Sequence, residues 1–256
     1  MGLKMCCFAS GSKGNCTYIS DGKTDILIDM GISATRVEKC LSVLGVNPDT
    51  VNICVTHSHS DHVSGLKVFC KRHPRAKIFC QKESAPAVYY ATGTEPVICE
   101  RNSSICEMNI TALPVPHDVP CFGYVVGSGN AKVAVVTDVG SISVETLNVL
   151  SACNIVMLEA NHDIAMLRAN RNYTPELKAR ILSTHGHLSN VDCAEACAYL
   201  AGSGVKNFIL AHLSEENNTS RIAVSEVLTG LELSGITDVR VVATSQNSPT
   251  GLFEIC

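Results

Sequence analysis

Residues 57–62 read His-Ser-His-Ser-Asp-His and follow directly on an apolar, β-branched run at 51–56. Three imidazoles and a carboxylate within six residues can converge on a small volume where a strand gives way to a helix. No other stretch of the chain constrains the fold as tightly. A solvated polar loop has no physical reason to prefer three weakly basic rings over Ser, Asn, Gly and Lys. Imidazole and carboxylate together are the donor set for Zn²⁺, Mn²⁺ or Fe²⁺. The end of that strand is therefore expected to face a cleft, with further donors arriving from elsewhere.

Strand-like runs recur at 25–28, 51–56, 77–80, 110–115, 122–126, 132–137, 154–158, 207–211 and 239–243. Helical spacing lies between several of them. Val37, Cys40, Leu41 and Leu44 fall at i, i+3, i+4 and i+7, and Val191, Ala194, Ala198 and Ala201 accompany a capping box assigned to Asp192 and Glu195. Thr174, Pro175 and Glu176 read as N-cap, N1 and N2 of another helix. Strands alternating with helices predict an α/β protein whose sheets are covered by helices. With 46% apolar residues and no Gly/Ser/Pro-rich linker, residues 1–256 are expected to form one domain.

Further donors sit at matching places. His117 follows the run 110–115, Asp138 ends 132–137 and His212 ends 207–211. Each has a plainer reading: Asp138 as a helix cap, His117 as a turn residue beside Pro116, His212 as a hydrogen-bonded core histidine. All lie at carboxyl ends of strands, the rim where open α/β sheets build their sites. The stretch Ile26-Leu27-Ile28-Asp29-Met30-Gly31 followed by a helix and Asn52-Ile53-Cys54-Val55-Thr56-His57 also resembles Val135-Val136-Thr137-Asp138-Val139-Gly140 followed by a helix and Asn154-Ile155-Val156-Met157-Leu158-Glu159. Two stacked, pseudo-symmetric βαβ halves would leave that trace.

The 14 cysteines need a setting. Residues 1–7 carry no apolar secretion segment, no Cys-x-x-Cys occurs, and most cysteines sit singly inside apolar runs. They are read as reduced and mostly buried. No run approaches the roughly 18 apolar residues of a membrane span, so a cytoplasmic protein without membrane contact is expected.

His57, His59, Asp61 and His62, followed in order by His117, Asp138 and His212, resemble the metallo-β-lactamase-fold hydrolases. The resemblance implies a four-layer αββα sandwich with the site at one edge and two divalent metal ions (Zn, Mn or Fe). One would be held by His57, His59 and His117, the other by Asp61, His62 and His212, with Asp138 bridging. Asp29 matches the family's supporting carboxylate, which orients a ligand histidine, and Asn15 is placed beside it in that supporting role. The segments 10–16, 158–163, 186–190 and 212–218 are similar to the YycJ/WalJ-like branch, related to ribonuclease Z and J-type nucleases and described as DNA exonucleases linked to a cell-wall two-component system. No inserted substrate-binding domain accompanies them here.

The resemblance implies a phosphodiesterase on DNA ends, digesting from the 5′ end, in which a metal-bridging hydroxide attacks phosphorus. Alternatives are a thioester or lactone hydrolase of glyoxalase II type and a regulatory partner of a two-component system. The net charge of −4 gives no global attraction to nucleic acid. Local runs differ: 66–82 holds Lys67, Lys71, Arg72, Arg75, Lys77 and Lys82 and no acid, and 164–182 sets Arg168, Arg171, Lys178 and Arg180 against Glu176. Both runs are candidate backbone contacts, with Arg168, Lys178 and Arg180 named as substrate contacts. His187, with Ser189 and Asn190 at a helix start, could bind a phosphate oxygen or protonate the leaving alkoxide. His162 joins His187, Asp61 and Asp138 as a candidate catalytic residue. His73 reads as an exposed bystander. Gly11 and Gly14 let the 10–15 loop approach a ligand, although it lacks the Gly-Lys-Ser/Thr ending of a phosphate-binding P-loop.

Overall fold

A computed structural model of the chain describes residues 2–255. Fourteen strands among these residues make two seven-stranded mixed sheets. The first contains β1 (Leu3–Ala9), β2 (Cys16–Ser20), β3 (Asp25–Ile28), β4 (Asn52–Cys54), β5 (Lys77–Cys80), β6 (Val97–Ile98) and β14 (Phe253–Ile255), in the order β14-β1-β2-β3-β4-β5-β6. The second contains β7 (Asn102–Ile105), β8 (Met108–Val115), β9 (Cys121–Ser128), β10 (Ala131–Val136), β11 (Ile155–Glu159), β12 (Asn207–Ala211) and β13 (Arg240–Ala243), in the order β13-β12-β11-β10-β9-β8-β7.

Side-chain alternation explains the layers. Ile26 and Ile28 on β3 point between the sheets, where they meet Val133, Val135, Met157 and Ile209 of the second sheet. Leu27 points the other way, toward α1 (Ala34–Val43), α3 (Leu66–Arg72) and α4 (Ala85–Thr92). Ala134, Val136, Phe208 and Leu210 likewise face α5 (Val144–Leu150), α8 (Asn190–Gly202) and α9 (Ser220–Leu233). Strands buried on both faces read as continuous apolar runs, so the sequence shows their length better than their facing. The result is the expected αββα sandwich. Three short helices complete it: α2 (Ser60–Val63), α6 (Ile164–Ala169) and α7 (Pro175–Ile181).

Three expectations change. The strand expected over 51–56 is β4 alone, because the chain leaves the sheet after Cys54 to present the histidine loop. β1, β2, β6, β7 and β14 were not anticipated; in β1 thiols take apolar places, and β6, β7 and β14 are only two to four residues long. The cap of α8 is Ser189, whose hydroxyl accepts from Asp192 N, three residues before the capping box assigned to Asp192 and Glu195. Thr174 caps α7 as expected. Every described cysteine is a free thiol, and all but Cys40 and Cys106 are buried; Cys256 lies outside the described residues. Burial pushes the Cys7 and Cys153 thiols up to about 12, so they pack as small apolar groups.

Parallel pairing of β3 with β4, and of β10, β11 and β12 with one another, brings the carboxyl ends of these strands to one edge. That edge carries Asp29, His57, Asp138, Glu159 and His212.

Candidate metal centre

Asp29 follows β3 in the left-handed region, at φ 60°. Asp is among the few residues that tolerate this conformation, and here it swings the carboxylate under the histidine loop. Thr56 N donates to Oδ1 and the Thr56 hydroxyl to Oδ2, each at 2.8 Å. His62 Nδ1 lies 2.8 Å from the same Oδ2. With Nδ1–H directed at Asp29, His62 Nε2 points into the site, 3.0 Å from Asn15 Nδ2, 3.1 Å from Asp138 Oδ2 and 3.5 Å from Asp61 Oδ2. Gly31 is required two residues later, because a Cβ there would lie 1.5 Å from the Asp61 carbonyl.

Asp138 repeats the device after β10, at φ 57°, and Gly140 again permits close packing, against Thr184 and Gly186. Its Oδ2 is buried and receives no hydrogen bond. The supporting carboxylate in this half is Glu159, which is 0% exposed. Val139 N donates to its Oε2 at 2.8 Å, while His212 Nδ1 and His187 Nδ1 reach Oε1 at 2.7 and 2.9 Å. His212, at φ 53°, then has only Nε2 left, and it too is buried without a partner.

Two donor groups result. His57, His59 and His117 each place one ring nitrogen within 4.8 Å of the others, and Asp61, His62, Asp138 and His212 do the same. Buried nitrogens and oxygens without hydrogen bonds are costly unless something binds them. His57 Nε2, both His117 nitrogens, Asp138 Oδ2 and His212 Nε2 are such atoms, and all belong to these two groups. The donor chemistry fits divalent ions with mixed imidazole and carboxylate ligands.

Electrostatics agree with that reading. Burial, with the neighbouring His62 charge, holds the His57 pKa well below the ordinary imidazole range, and burial also lowers His117. Burial disfavours charge on His62 too, but the Asp138 and Asp29 carboxylates more than offset it and hold its pKa well above that range. His212 rises to about 10, burial again being outweighed, by Asp138, Asp61 and Glu159. Glu159, despite full burial, is lowered to about 2 by His187 and His212.

An open cleft of about 280 Å³ lies over the donors, lined among others by Ser12, Asp61, Asp138, Arg180, His187 and Ser214. Arg180 reaches it from α7 and pairs with Asp118, whose Oδ1 is also 3.3 Å from His59 Nε2 and 3.2 Å from His117 Nε2. Tyr173, Leu177 and Ile181 form its apolar wall. Other expected contacts do not reach it. Ser189 is buried and bonds Asp192, and Asn190 is buried against Asn218. Lys178 turns back to the Arg168 carbonyl, and neither it nor Arg168 lines the cleft. His162 is 1% exposed with both ring nitrogens unpartnered, beneath the site and outside the cleft lining. His185 lines the rim. His73 is no bystander: it lies 3.0 Å from Asp49 and 3.2 Å from Glu38.

Sequence reasoning marked Glu159 as the strand-end counterpart of His57 but gave it no role in the site, and passed over Asp118. The available signal for Glu159 was a carboxylate ending a wholly apolar strand, and for Asp118 its place beside His117.

Residues 24–213 match a family model described as the beta-lactamase superfamily domain. The chain is 34% identical over 240 residues to the exodeoxyribonuclease YycJ of Bacillus anthracis, covering 89% of this chain and 90% of that protein. It is 31% identical over 268 residues to the exodeoxyribonuclease WalJ of Streptococcus pneumoniae (strain D39), covering 100% and 99%. The crystal structure of the metallo-beta-lactamase fold protein YhfI from Bacillus subtilis superposes with a TM-score of 0.75 over 100% of both chains at 14% identity, a likeness of fold alone.

Proposed function

The chain belongs to the beta-lactamase superfamily and is a metal-dependent hydrolase, and from that premise we propose that it is a phosphodiesterase digesting DNA from the 5′ end. The observation that carries this reading is the pair of adjoining donor groups with orphaned buried nitrogens under one open cleft. His57, His59 and His117 would hold one divalent ion and Asp61, His62 and His212 a second, with Asp138 shared between them. Bound together, two such ions supply a nucleophilic water at neutral pH and stabilise the attacking and leaving oxygens of an in-line displacement.

The chain's own groups do the rest. Asp29 and Glu159 accept the Nδ1 protons of His62 and His212 and so keep each Nε2 aimed at the donor cluster. Arg180 offers a guanidinium at the rim for a non-bridging phosphate oxygen. His187 keeps Nδ1 on Glu159, which leaves Nε2 to protonate the departing 3′-oxygen. In the reaction a water oxygen bonds to phosphorus and its proton passes to solvent, the P–O3′ bond breaks, and a proton from His187, restored afterwards from solvent, completes the 3′-hydroxyl. Members of this fold host many chemistries, so the substrate is inferred from the relatives' activities and the two-ion donor set together.

The test is metal analysis of the purified protein coupled to hydrolysis of 5′-phosphorylated duplex DNA, with a thioester for comparison. Two ions per chain and release of 5′-mononucleotides are expected. Faster turnover of the thioester would overturn the reading in favour of a small-molecule hydrolase.

A further inference from the structure

A second concavity opens beside the metal centre, between α1, α3 and the loop at residues 10–15. Its lining includes Lys13, Arg36 and Arg72 with the hydroxyls of Ser33, Thr35 and Ser64, and no carboxylate. Ser12 lines the metal cleft and Lys13 this groove, so one loop borders both. The wall between them is one backbone thick: Asn15 N donates to the Asp61 carbonyl at 2.8 Å, and Gly31 packs on that same carbonyl where no side chain would fit. Lys67 and Lys71, outside the groove lining and each one position before a lining residue of α3, Val68 and Arg72, are exposed, as are Arg75 and Lys77 beyond the helix.

In a chain of net charge −4, this is a local concentration of positive charge. The cations are free to change partners. Among the described residues Arg36 gives its guanidinium only to the Phe8 carbonyl, at 3.1 Å. Lys13 with Glu215 and Arg72 with Glu38 are surface pairs, their cationic side chains 71% and 48% exposed. Such pairs have small net worth, and a phosphate competes well for the same donors.

We infer that this groove binds the phosphate backbone of the nucleotides that continue beyond the one at the metal centre, so that a polynucleotide runs from the cleft over Lys13 and along α3. The inference rests on the nuclease reading and adds to it a track that senses length and not sequence, since phosphates carry no base information.

The triple variant Lys67→Gln/Lys71→Gln/Arg72→Gln tests it in the metal-loaded protein. Binding of a 3′-labelled, 5′-phosphorylated 30-nucleotide strand should weaken roughly 10- to 100-fold at low salt. The slope of log affinity against log salt should become shallower by about 2, at about 0.7 per lost phosphate contact. Metal content and kcat/KM on a 5′-phosphorylated dinucleotide should stay unchanged, and Lys4→Gln, on an exposed residue outside the groove lining, should leave strand binding as in the wild type. Unchanged strand affinity and salt slope in the triple variant would overturn the groove, as would an equal loss on the dinucleotide. A wild type that binds the strand through these residues but cleaves neither substrate would remove the nuclease and leave the groove standing.

Discussion

The two halves that meet at the metal centre use one backbone device for opposite ends. β3-α1-β4 and β10-α5-β11 are both parallel pairs whose first strand ends in a positive-φ aspartate followed two residues later by a tightly packed glycine. In the first half that aspartate, Asp29, is consumed by Thr56 and His62 and supports the site from below. In the second half the equivalent Asp138 keeps an oxygen free, and the supporting role passes to Glu159 on the other strand. Even the tying bond is exchanged: the Asp29 carboxylate accepts from Thr56, two residues beyond β4, in one half, and the β11 carboxylate of Glu159 accepts from Val139, three residues beyond β10, in the other. A turn that points a carboxylate at the sheet edge does not decide whether that carboxylate binds or braces. Whichever oxygen finds backbone and hydroxyl donors becomes the brace.

The sharpest way to break this comparison is to make the same substitution in both halves. Asp138→Asn is expected to lower hydrolysis by about three orders of magnitude, several kcal/mol of lost transition-state stabilisation, with a smaller loss of folding stability than the same change at Asp29, since its Oδ2 faces His62 but accepts no backbone or hydroxyl hydrogen bond. Asp29→Asn should instead destabilise the fold by about 1–3 kcal/mol through its buried donors and weaken metal binding about 10- to 100-fold. Hydrolysis rates, metal content and denaturant midpoints separate the two; identical profiles would dissolve the distinction.

Next in size is Glu159→Gln. One amide oxygen cannot accept from Val139 N, His187 and His212 together, so metal affinity should fall about 10- to 100-fold in a chelator competition. Wild-type affinity would leave Glu159 a packing residue only.

The metal-free protein should show a narrow pH optimum of stability. His212 is raised from 6.5 to about 10, so its contribution is complete below 6.5 and lost as pH climbs toward 10. Glu159 is lowered from 4.5 to about 2, so its contribution is complete above 4.5 and lost as pH falls toward 2. Thermal midpoints of the metal-free protein should therefore be highest between these limits and decline on the alkaline side of 6.5. Metal added at pH 7 should release protons, read as a buffer-dependent heat. A flat midpoint from pH 6 to 9 would contradict the charged cluster.

The smallest effect is Thr56→Val, which removes one hydroxyl from Asp29 and should cost about 1 kcal/mol with metal content unchanged.

Much of this was legible before any coordinates. The histidine loop, His117, Asp138 and His212 announced themselves because ionisable groups at the ends of apolar strands have few other reasons to be there. Thr174-Pro175-Glu176 marked the start of α7 because capping is local. Ser189 and Asn190 misled for the converse reason: a helix start looks alike whether it faces a phosphate or caps itself, and here the donors are used inside the protein. Lys178 and Arg180 lie two residues apart on one helix, yet only Arg180 lines the cleft. Glu159 stood out at a strand end, but its bracing role stayed hidden because its partners, Val139, His187 and His212, are distant in the chain.

By itself the sequence determined which strands end in donors, that the thiols would fill the core, and that the donor set suits divalent ions, because those properties depend on residue type and near neighbours. Only the tertiary structure decided which carboxylates bind and which brace, which basic residues reach a cleft, and that a cationic groove adjoins the metal centre. Those outcomes depend on who satisfies each buried hydrogen bond, and the donors and acceptors come from opposite sheets brought to one edge.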